Sequence, residues 1–124
     1  MHLERRKLRR IAETEVDRLR ADLPREIRAL AERVPVHLPA LPDAETAREL
    51  GDDLLGLFSG ETHAENGATL MPTPPQIHLY LGNLWSEAEE NTDRFREEVR
   101  VTYLHELGHY LGWDEDAIDA RGLH

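Results

Sequence analysis

One segment, residues 101–116 (VTYLHELGHYLGWDED), constrains this chain more than any other. Within it, His105-Glu106-Leu107-Gly108-His109 matches the pattern H-E-x-x-H. Residues four apart lie on one face of a helix, so the imidazoles of His105 and His109 can bind one metal ion from the same side. Glu106, one step further round the helix, can act there as a general base. The pattern predicts a zinc-dependent hydrolase, and we expect the rest of the chain to hold this helix against a small sheet.

The residues around the motif make a metal site more specific a prediction than the five residues of H-E-x-x-H alone. Residues 93–111 are expected to form one amphipathic helix, which presents Phe95, Val99 and Thr102 together with the two histidines. Gly112 follows the second histidine by three residues, and a glycine at this position is typical of a helix end. The chain can therefore turn back toward the metal directly after the helix.

A catalytic zinc site needs a third protein ligand and one open position. In H-E-x-x-H-x-x-G-x-x-[ligand] the last position falls on Glu115, and Asp114 and Asp116 are alternatives because one residue more or less in the turn re-aims the side chain. The chain has no cysteine, so histidines and carboxylates are the available ligands. The same carboxylates could instead form the first turn of a following helix, where negative charge is favoured.

Length and composition indicate one soluble globular domain, residues 1–124. Apolar residues make up 40% of the chain and charged residues 32%. No apolar run approaches the ~18 residues that a membrane span needs, and the charged N-terminus lacks the apolar core of a secretory signal. These observations favour a cytoplasmic protein without a membrane partner.

The net charge of −10 is unevenly distributed: residues 1–33 carry +3 and the remainder −13. An acidic site region disfavours nucleic acid, because binding to phosphates depends on Lys and Arg. We therefore expect a peptide or protein substrate. The basic N-terminal helix, residues 1–22, is interpreted as a solvated surface, with an acidic partner or RNA as the alternative.

The pattern of apolar residues predicts a mixed α+β order. Helices are expected over residues 3–22 and 25–33, and a helical turn or two over 43–50. Strands are expected over 34–38, at an edge because of Pro35, and over 76–81, with a strand-like or tightly turned segment over 54–60. A loop should cover 61–75, where Asn66-Gly67 is a weak hairpin candidate, and Ser86-Glu87-Ala88-Glu89 should open a helix as a capping box.

Several of these segments together resemble the small bacterial zincin-like metallopeptidases, also called minimal zincins. The matching features are LGLFSG (55–60), PQIHLY (75–80) with GNL (82–84), HELGHYLG (105–112) and WDED (113–116). The resemblance covers roughly residues 20–124 and covers the N-terminal helix least. It implies an α+β zincin-like fold in which a small mixed sheet packs on the active-site helix.

The resemblance also implies roles for the residues. His105 and His109 would bind zinc with a carboxylate near 114–116, and Glu106 would be the base that acts on a metal-activated water to hydrolyse a peptide bond. The substrate is expected to lie extended beside strand 76–81. The chain departs from the metzincins, because Glu115 stands where they have a histidine and no methionine follows the motif.

Two other interpretations stay open at this stage. A metal-binding interaction module with little or no proteolysis would keep the histidines without turnover. A zinc-dependent endoribonuclease would share the helix, but such enzymes lack the glutamate beside the first histidine.

Overall fold

The computed structural model describes residues 4–65, 73–113 and 116. In these residues the helices are α1 (Arg5–Asp22), α2 (Arg25–Ala31), α3 (Ala44–Leu50), α4 (Leu81–Glu87) and α5 (Thr92–Tyr110). The strands are β1 (Val36–His37), β2 (Gly56–Ser59) and β3 (Gln76–Leu79), and a single 3-10 turn occupies His63–Glu65. The α+β class and most predicted elements are confirmed, with shorter strands than the sequence indicated.

The three strands form one mixed sheet in the order β1-β3-β2. β1 pairs with β3 in parallel, with Val36 opposite Ile77, whereas β2 pairs with β3 antiparallel, with Phe58 opposite the same residue. β3 is therefore the central strand. The expectation that a substrate pairs with residues 76–81 is wrong, because strands already occupy both edges of β3. The sheet edge beside α5 belongs to β2, and within the described residues no further strand pairs with it.

Helix α5 is the element on which the core is built, since it contacts α1, α4, β2 and β3. The alternation in β3 places Ile77 and Leu79 in that core without solvent exposure. Helix α1 buries a stripe of apolar residues that also includes one polar residue, Glu15. The two long helices and one face of the sheet thus enclose a single core, which fixes the orientation of α5.

A partly buried hydrogen-bond cluster around Arg20 joins three parts of this core. Its Nε donates to the hydroxyl of Tyr103 on α5 at 2.9 Å, and one terminal nitrogen donates to the carbonyls of Val34 at 2.8 Å and Ala31 at 3.3 Å. Tyr103 is fully buried and Val34 is 1% exposed, while Arg20 itself is half-buried, so these bonds are partly shielded from water. Arg20 therefore ties α1 and the end of α2 to the helix that carries the H-E-x-x-H motif.

The predicted capping box at residues 86–89 is wrong. Ser86 lies in the last turn of α4, which begins five residues earlier. Two main-chain bonds anchor its start, since the N–H groups of Leu81 and Gly82 donate to the carbonyls of Pro39 and Ala40. The helical spacing of apolar residues that reveals α4 is nevertheless present in the sequence, at Leu81, Leu84, Trp85 and Ala88, which are all buried.

Both ends of α5 follow local rules. Asn91 caps its start, because its side chain accepts a hydrogen bond from the N–H of Arg94 at 3.0 Å. Gly112 ends it with a positive φ of 76°, and the N–H of Trp113 returns to the carbonyl of Gly108 at 2.9 Å. The predicted glycine stop is confirmed, and it directs the chain away from the helix just before the acidic residues.

Two further expectations concern the segment before β3. Residues 54–60 contain β2, which is half-buried rather than part of the core. The long connection after β2 contains the 3-10 turn, and the N–H of Glu61 donates to the carbonyl of Thr73 at 2.9 Å. The weak hairpin candidate Asn66-Gly67 lies outside the described residues.

No helix in the described ranges is both long enough and apolar enough to cross a lipid bilayer. The longest two, α1 and α5, carry charged side chains along their length. The cytoplasmic location and the single-domain boundaries stay predictions.

The outer face of the sheet, opposite α5, carries a row of rings. His78 on β3 stacks on His37 of β1 with a centroid distance of 4.8 Å and lies 6.2 Å from the ring of Tyr80. They line a cavity of about 640 Å³ together with Asp43 and Leu57. The Nδ1 atom of His78 is buried without a hydrogen-bond partner among the described residues. Burial lowers the pKa of His78, repulsion from His37 lowers it further, and Asp43 opposes both effects.

Replacing Arg20 with Met should destabilise the fold by about 2–4 kcal/mol, because buried acceptors and the Tyr103 hydroxyl lose their partner. Tyr103→Phe is the matched control: it removes one bond and leaves the two carbonyl bonds, so about 1 kcal/mol is expected. Urea unfolding of the three proteins measures both values. An Arg20→Met protein that unfolds at the wild-type urea concentration contradicts the role of Arg20.

The lowered pKa of His78 predicts a pH dependence of stability. The unfolded chain binds a proton near its ordinary pKa of about 6.5, while the folded protein resists that proton. The contribution is therefore complete above about pH 6.5 and is lost as the pH falls below it toward the folded pKa. His78→Gln should lose less stability than wild type between pH 7.5 and 5.5, as measured by urea unfolding. Equal losses in the two proteins contradict the assignment.

Candidate metal centre

The helix brings the three motif side chains together as the sequence predicted. One potential ligand atom from each of His105, Glu106 and His109 lies within 4.8 Å of the other two. The two imidazole rings are 4.7 Å apart between centroids and nearly perpendicular. His109 is exposed, while His105 and Glu106 are half-buried. A metal ion can therefore approach from the solvent side and meet nitrogen donors on one face of α5.

Glu106 is held by the edge strand of the sheet. Its Oε1 accepts a hydrogen bond from the main-chain N–H of Phe58 on β2 at 3.0 Å. Burial raises the pKa of Glu106, and this effect outweighs the two histidines and the Phe58 bond, which lower it. The carboxylate of Glu106 is thus held in one orientation and is partly shielded from water, as a base for proton transfer requires.

A glycine allows β2 to lie this close to α5. A Cβ atom at Gly56 would stand 2.5 Å from Cγ2 of Thr102 and 3.4 Å from Cγ of Glu106. Real Cβ atoms do not approach a carbon to 2.5 Å, so a side chain here would push the strand from the helix. The absence of a side chain at Gly56 therefore brings the Phe58 N–H within reach of Glu106.

An aromatic row extends from the edge strand past the end of the helix. The ring of Tyr110 lies 5.9 Å from that of Phe58 and 6.0 Å from that of His63. Tyr110 is one helical turn beyond Glu106 and is 4% exposed, whereas His63 is exposed. These ring contacts pack the connection after β2 onto α5, next to the cluster of His105, Glu106 and His109.

The three tyrosines of the chain, Tyr80, Tyr103 and Tyr110, are all buried. The ring of Tyr103 packs in the core, and its hydroxyl accepts a hydrogen bond from Arg20. The ring of Tyr110 packs between those of Phe58 and His63. Tyr80 is 3% exposed, and burial raises its pKa with further contributions from Asp43 and Glu106. The position of Tyr103 in the Arg20 cluster gives it a packing role.

The three candidate third ligands follow the end of α5. Asp114 and Glu115 lie outside the described residues. Asp116 is described and exposed, and it does not belong to the cluster formed by His105, Glu106 and His109. Gly112 and Trp113 nevertheless turn the chain at the end of α5, which leaves the three acidic positions as candidates.

The donor set fits zinc. Zinc takes imidazole nitrogen and carboxylate oxygen ligands, and two histidines with a carboxylate are a known catalytic combination. Both histidines come from one rigid helix whose other contacts are buried, so their spacing is fixed before a metal binds. Since the chain has no cysteine, a thiolate site is ruled out.

The α+β fold, with H-E-x-x-H on a packed helix beside an edge strand, is of the zincin-like class. A family model for zincin-like metallopeptidases matches residues 31–123. The chain belongs to this family, and zinc is the metal that the family implies. No sequence among the curated proteins compared matches the chain.

The family match agrees with the predicted resemblance but begins at residue 31 rather than near residue 20. It leaves out the whole of α1 and all of α2 except Ala31. Sequence reasoning missed the role of Phe58, because its contribution is a main-chain N–H that no side-chain pattern reveals. It also missed the contact between His63 and Tyr110, which joins residues far apart in the chain. The glycines of residues 54–60 were the available signal, since they permit close backbone approach.

Gly56→Ala should destabilise the protein by about 1–3 kcal/mol, because the new methyl group meets Thr102. Thr102→Ser removes the clashing methyl, so the double variant should be more stable than the sum of the single effects predicts, by about 0.5 kcal/mol or more. Urea unfolding of the four proteins of this cycle gives the coupling. Additive effects contradict the proposed contact between strand and helix.

Proposed function

We propose that this protein is a zinc-dependent metallopeptidase in which His105 and His109 bind the metal and Glu106 is the general base. The observation that supports it best is the cluster itself: three potential ligand atoms lie within 4.8 Å, and Phe58 orients the carboxylate. Membership of the zincin-like metallopeptidase family supports a peptide or protein substrate.

The chemistry divides between the metal and the chain. A zinc ion held by His105 and His109 would supply Lewis acidity, the chemistry needed to acidify a water molecule and to polarise the substrate carbonyl. Glu106 accepts the proton of the attacking water and later passes it to the leaving amine.

The open edge of β2 is the proposed docking position for the substrate. An extended peptide can add to an exposed sheet edge through main-chain hydrogen bonds. β2 contacts α5, and its Phe58 lies beside Glu106, so a peptide on this edge passes the base and the metal ligands. This position replaces the predicted one along β3.

A carboxylate after Gly112 is the proposed third ligand, with Glu115 first and Asp114 and Asp116 as alternatives. The pattern H-E-x-x-H-x-x-G-x-x-[ligand] supports Glu115, and the end of α5 at Gly112, directly before the acidic residues, is compatible with it.

Zinc content and hydrolysis test the proposal together. Wild-type protein should hold about one zinc per chain and cleave members of a blocked, internally quenched peptide library. His105→Ala should lose the zinc, while Glu106→Gln should keep it and lower kcat/KM about 100-fold to 10,000-fold, since only the proton transfer is removed. Glu115→Gln, compared with Asp114→Asn and Asp116→Asn, should weaken zinc binding most.

Metal analysis and library hydrolysis give outcomes that separate the alternatives. Wild-type protein purified with zinc available but without bound metal contradicts the proposal. Zinc binding without cleavage of any library member contradicts proteolysis and favours the interaction module. Cleavage of RNA that is lost in His105→Ala favours the endoribonuclease.

A further inference from the structure

We infer that the main-chain N–H of Phe58 is shared between Glu106 and the substrate, so that a peptide docking on β2 displaces Glu106 from its resting position. The inference rests on the proposed function and adds a step to it. In the substrate-free protein the base is bound to the strand edge, and docking of the peptide releases it toward the attacking water.

The direction of the β2 main-chain groups establishes which donors face the open edge. The N–H of Tyr80 donates to the carbonyl of Leu55 at 3.0 Å, so Leu55 turns its main-chain groups toward β3. In a strand of an antiparallel pair, the N–H and C=O groups of one residue point to the same side of the strand, and those of the next residue point to the other side. Leu57 and Ser59 therefore face β3 as well, and Gly56 and Phe58 face away from it.

Glu106 already occupies one of these two outward donors. Its Oε1 accepts the Phe58 N–H at 3.0 Å, a bond made outside the ladder between β2 and β3. A peptide strand that pairs with the β2 edge needs an N–H donor at this position for its own carbonyl oxygen. One N–H cannot make two good hydrogen bonds in different directions, so the peptide carbonyl and Glu106 compete.

The competition has a functional consequence because the displaced group is the base. While Glu106 accepts the hydrogen bond from the Phe58 N–H, its Oε1 is occupied and its carboxylate lies against β2. A peptide carbonyl on Phe58 frees that oxygen at the same moment that it brings the scissile bond past the metal ligands. Docking as a strand and readiness for proton transfer are therefore coupled through a single N–H group.

The competition also restricts the substrate class. Only a segment that presents an unpaired carbonyl in extended conformation can take the Phe58 donor, so the fold selects strand-forming, unfolded stretches of polypeptide. Helical or folded segments have their carbonyls already bonded and cannot release Glu106.

Selective labelling tests this directly, because the chain contains only two phenylalanines. Protein labelled with ¹⁵N-phenylalanine gives one amide signal from Phe58 and one from Phe95, which is fully buried in the core and serves as the internal control. The metal-free protein is titrated with a pool of blocked, extended hexapeptides. The Phe58 signal should shift with peptide, and the Phe95 signal should stay in place.

Variants of Glu106 separate competition from simple contact. In Glu106→Ala the donor has no internal partner, so the peptide concentration at half-shift should fall about tenfold, as expected for loss of one charge-assisted hydrogen bond. Glu106→Gln keeps a weaker, uncharged acceptor of the same shape. Its peptide concentration at half-shift should therefore lie between those of wild type and Glu106→Ala. The unchanged Phe95 signal reports that each variant is folded.

Two outcomes would overturn the inference: a Phe58 signal that the peptide pool does not move, and equal midpoints in wild type and Glu106→Ala. Neither readout requires zinc or hydrolysis. A competition measured in a protein that cleaves no peptide leaves the inference standing and contradicts the proposed function instead. Hydrolysis without any effect on Phe58 contradicts the inference alone.

Discussion

The close approach of strand β2 to helix α5 is the constraint on which the rest of this structure depends. At Gly56 the two elements are so near that a single methyl group would meet Thr102 at 2.5 Å. That distance lets a main-chain N–H reach the carboxylate of Glu106, which the helix alone would leave free to rotate. The sheet is small, with strands of two to four residues, and its position against α5 is what places a donor at the motif.

The helix can hold the metal ligands in fixed positions because its other faces are committed to packing. Core residues from α1, α4 and β3 surround it, and Arg20 binds Tyr103 two residues before His105. A helix packed in this way keeps the two histidines one turn apart in a fixed arrangement. Burial of Glu106 costs free energy in its charged form, and the Phe58 bond and two neighbouring imidazoles offset part of that cost.

The helices and the motif could be predicted from the sequence because their signals are local. The stripe of α1, the alternation of Ile77 and Leu79, and the stop at Gly112 all follow from spacing within one segment. H-E-x-x-H places its side chains by helical geometry alone, so the cluster needed no knowledge of the fold. The capping-box pattern at Ser86 predicts a helix start five residues later than the true start of α4 at Leu81. The helical spacing of the buried residues around Ser86 is the better indicator.

The parts that the sequence did not predict depend on pairing between distant segments. Strand order decides which edge is open, and no residue of β3 indicates that β1 and β2 occupy both of its sides. The same holds for Phe58, whose contribution comes from the backbone and becomes visible only when β2 lies beside α5. The contact of His63 with Tyr110 likewise joins residues 47 positions apart.

X-ray absorption at the zinc edge of the zinc-loaded protein measures directly which side chains bind the metal. We expect a low-coordinate zinc with two imidazole ligands and the remainder oxygen, and loss of one imidazole in each of His105→Ala and His109→Ala. Three imidazoles, or a spectrum that neither substitution changes, would place the metal elsewhere and contradict the account.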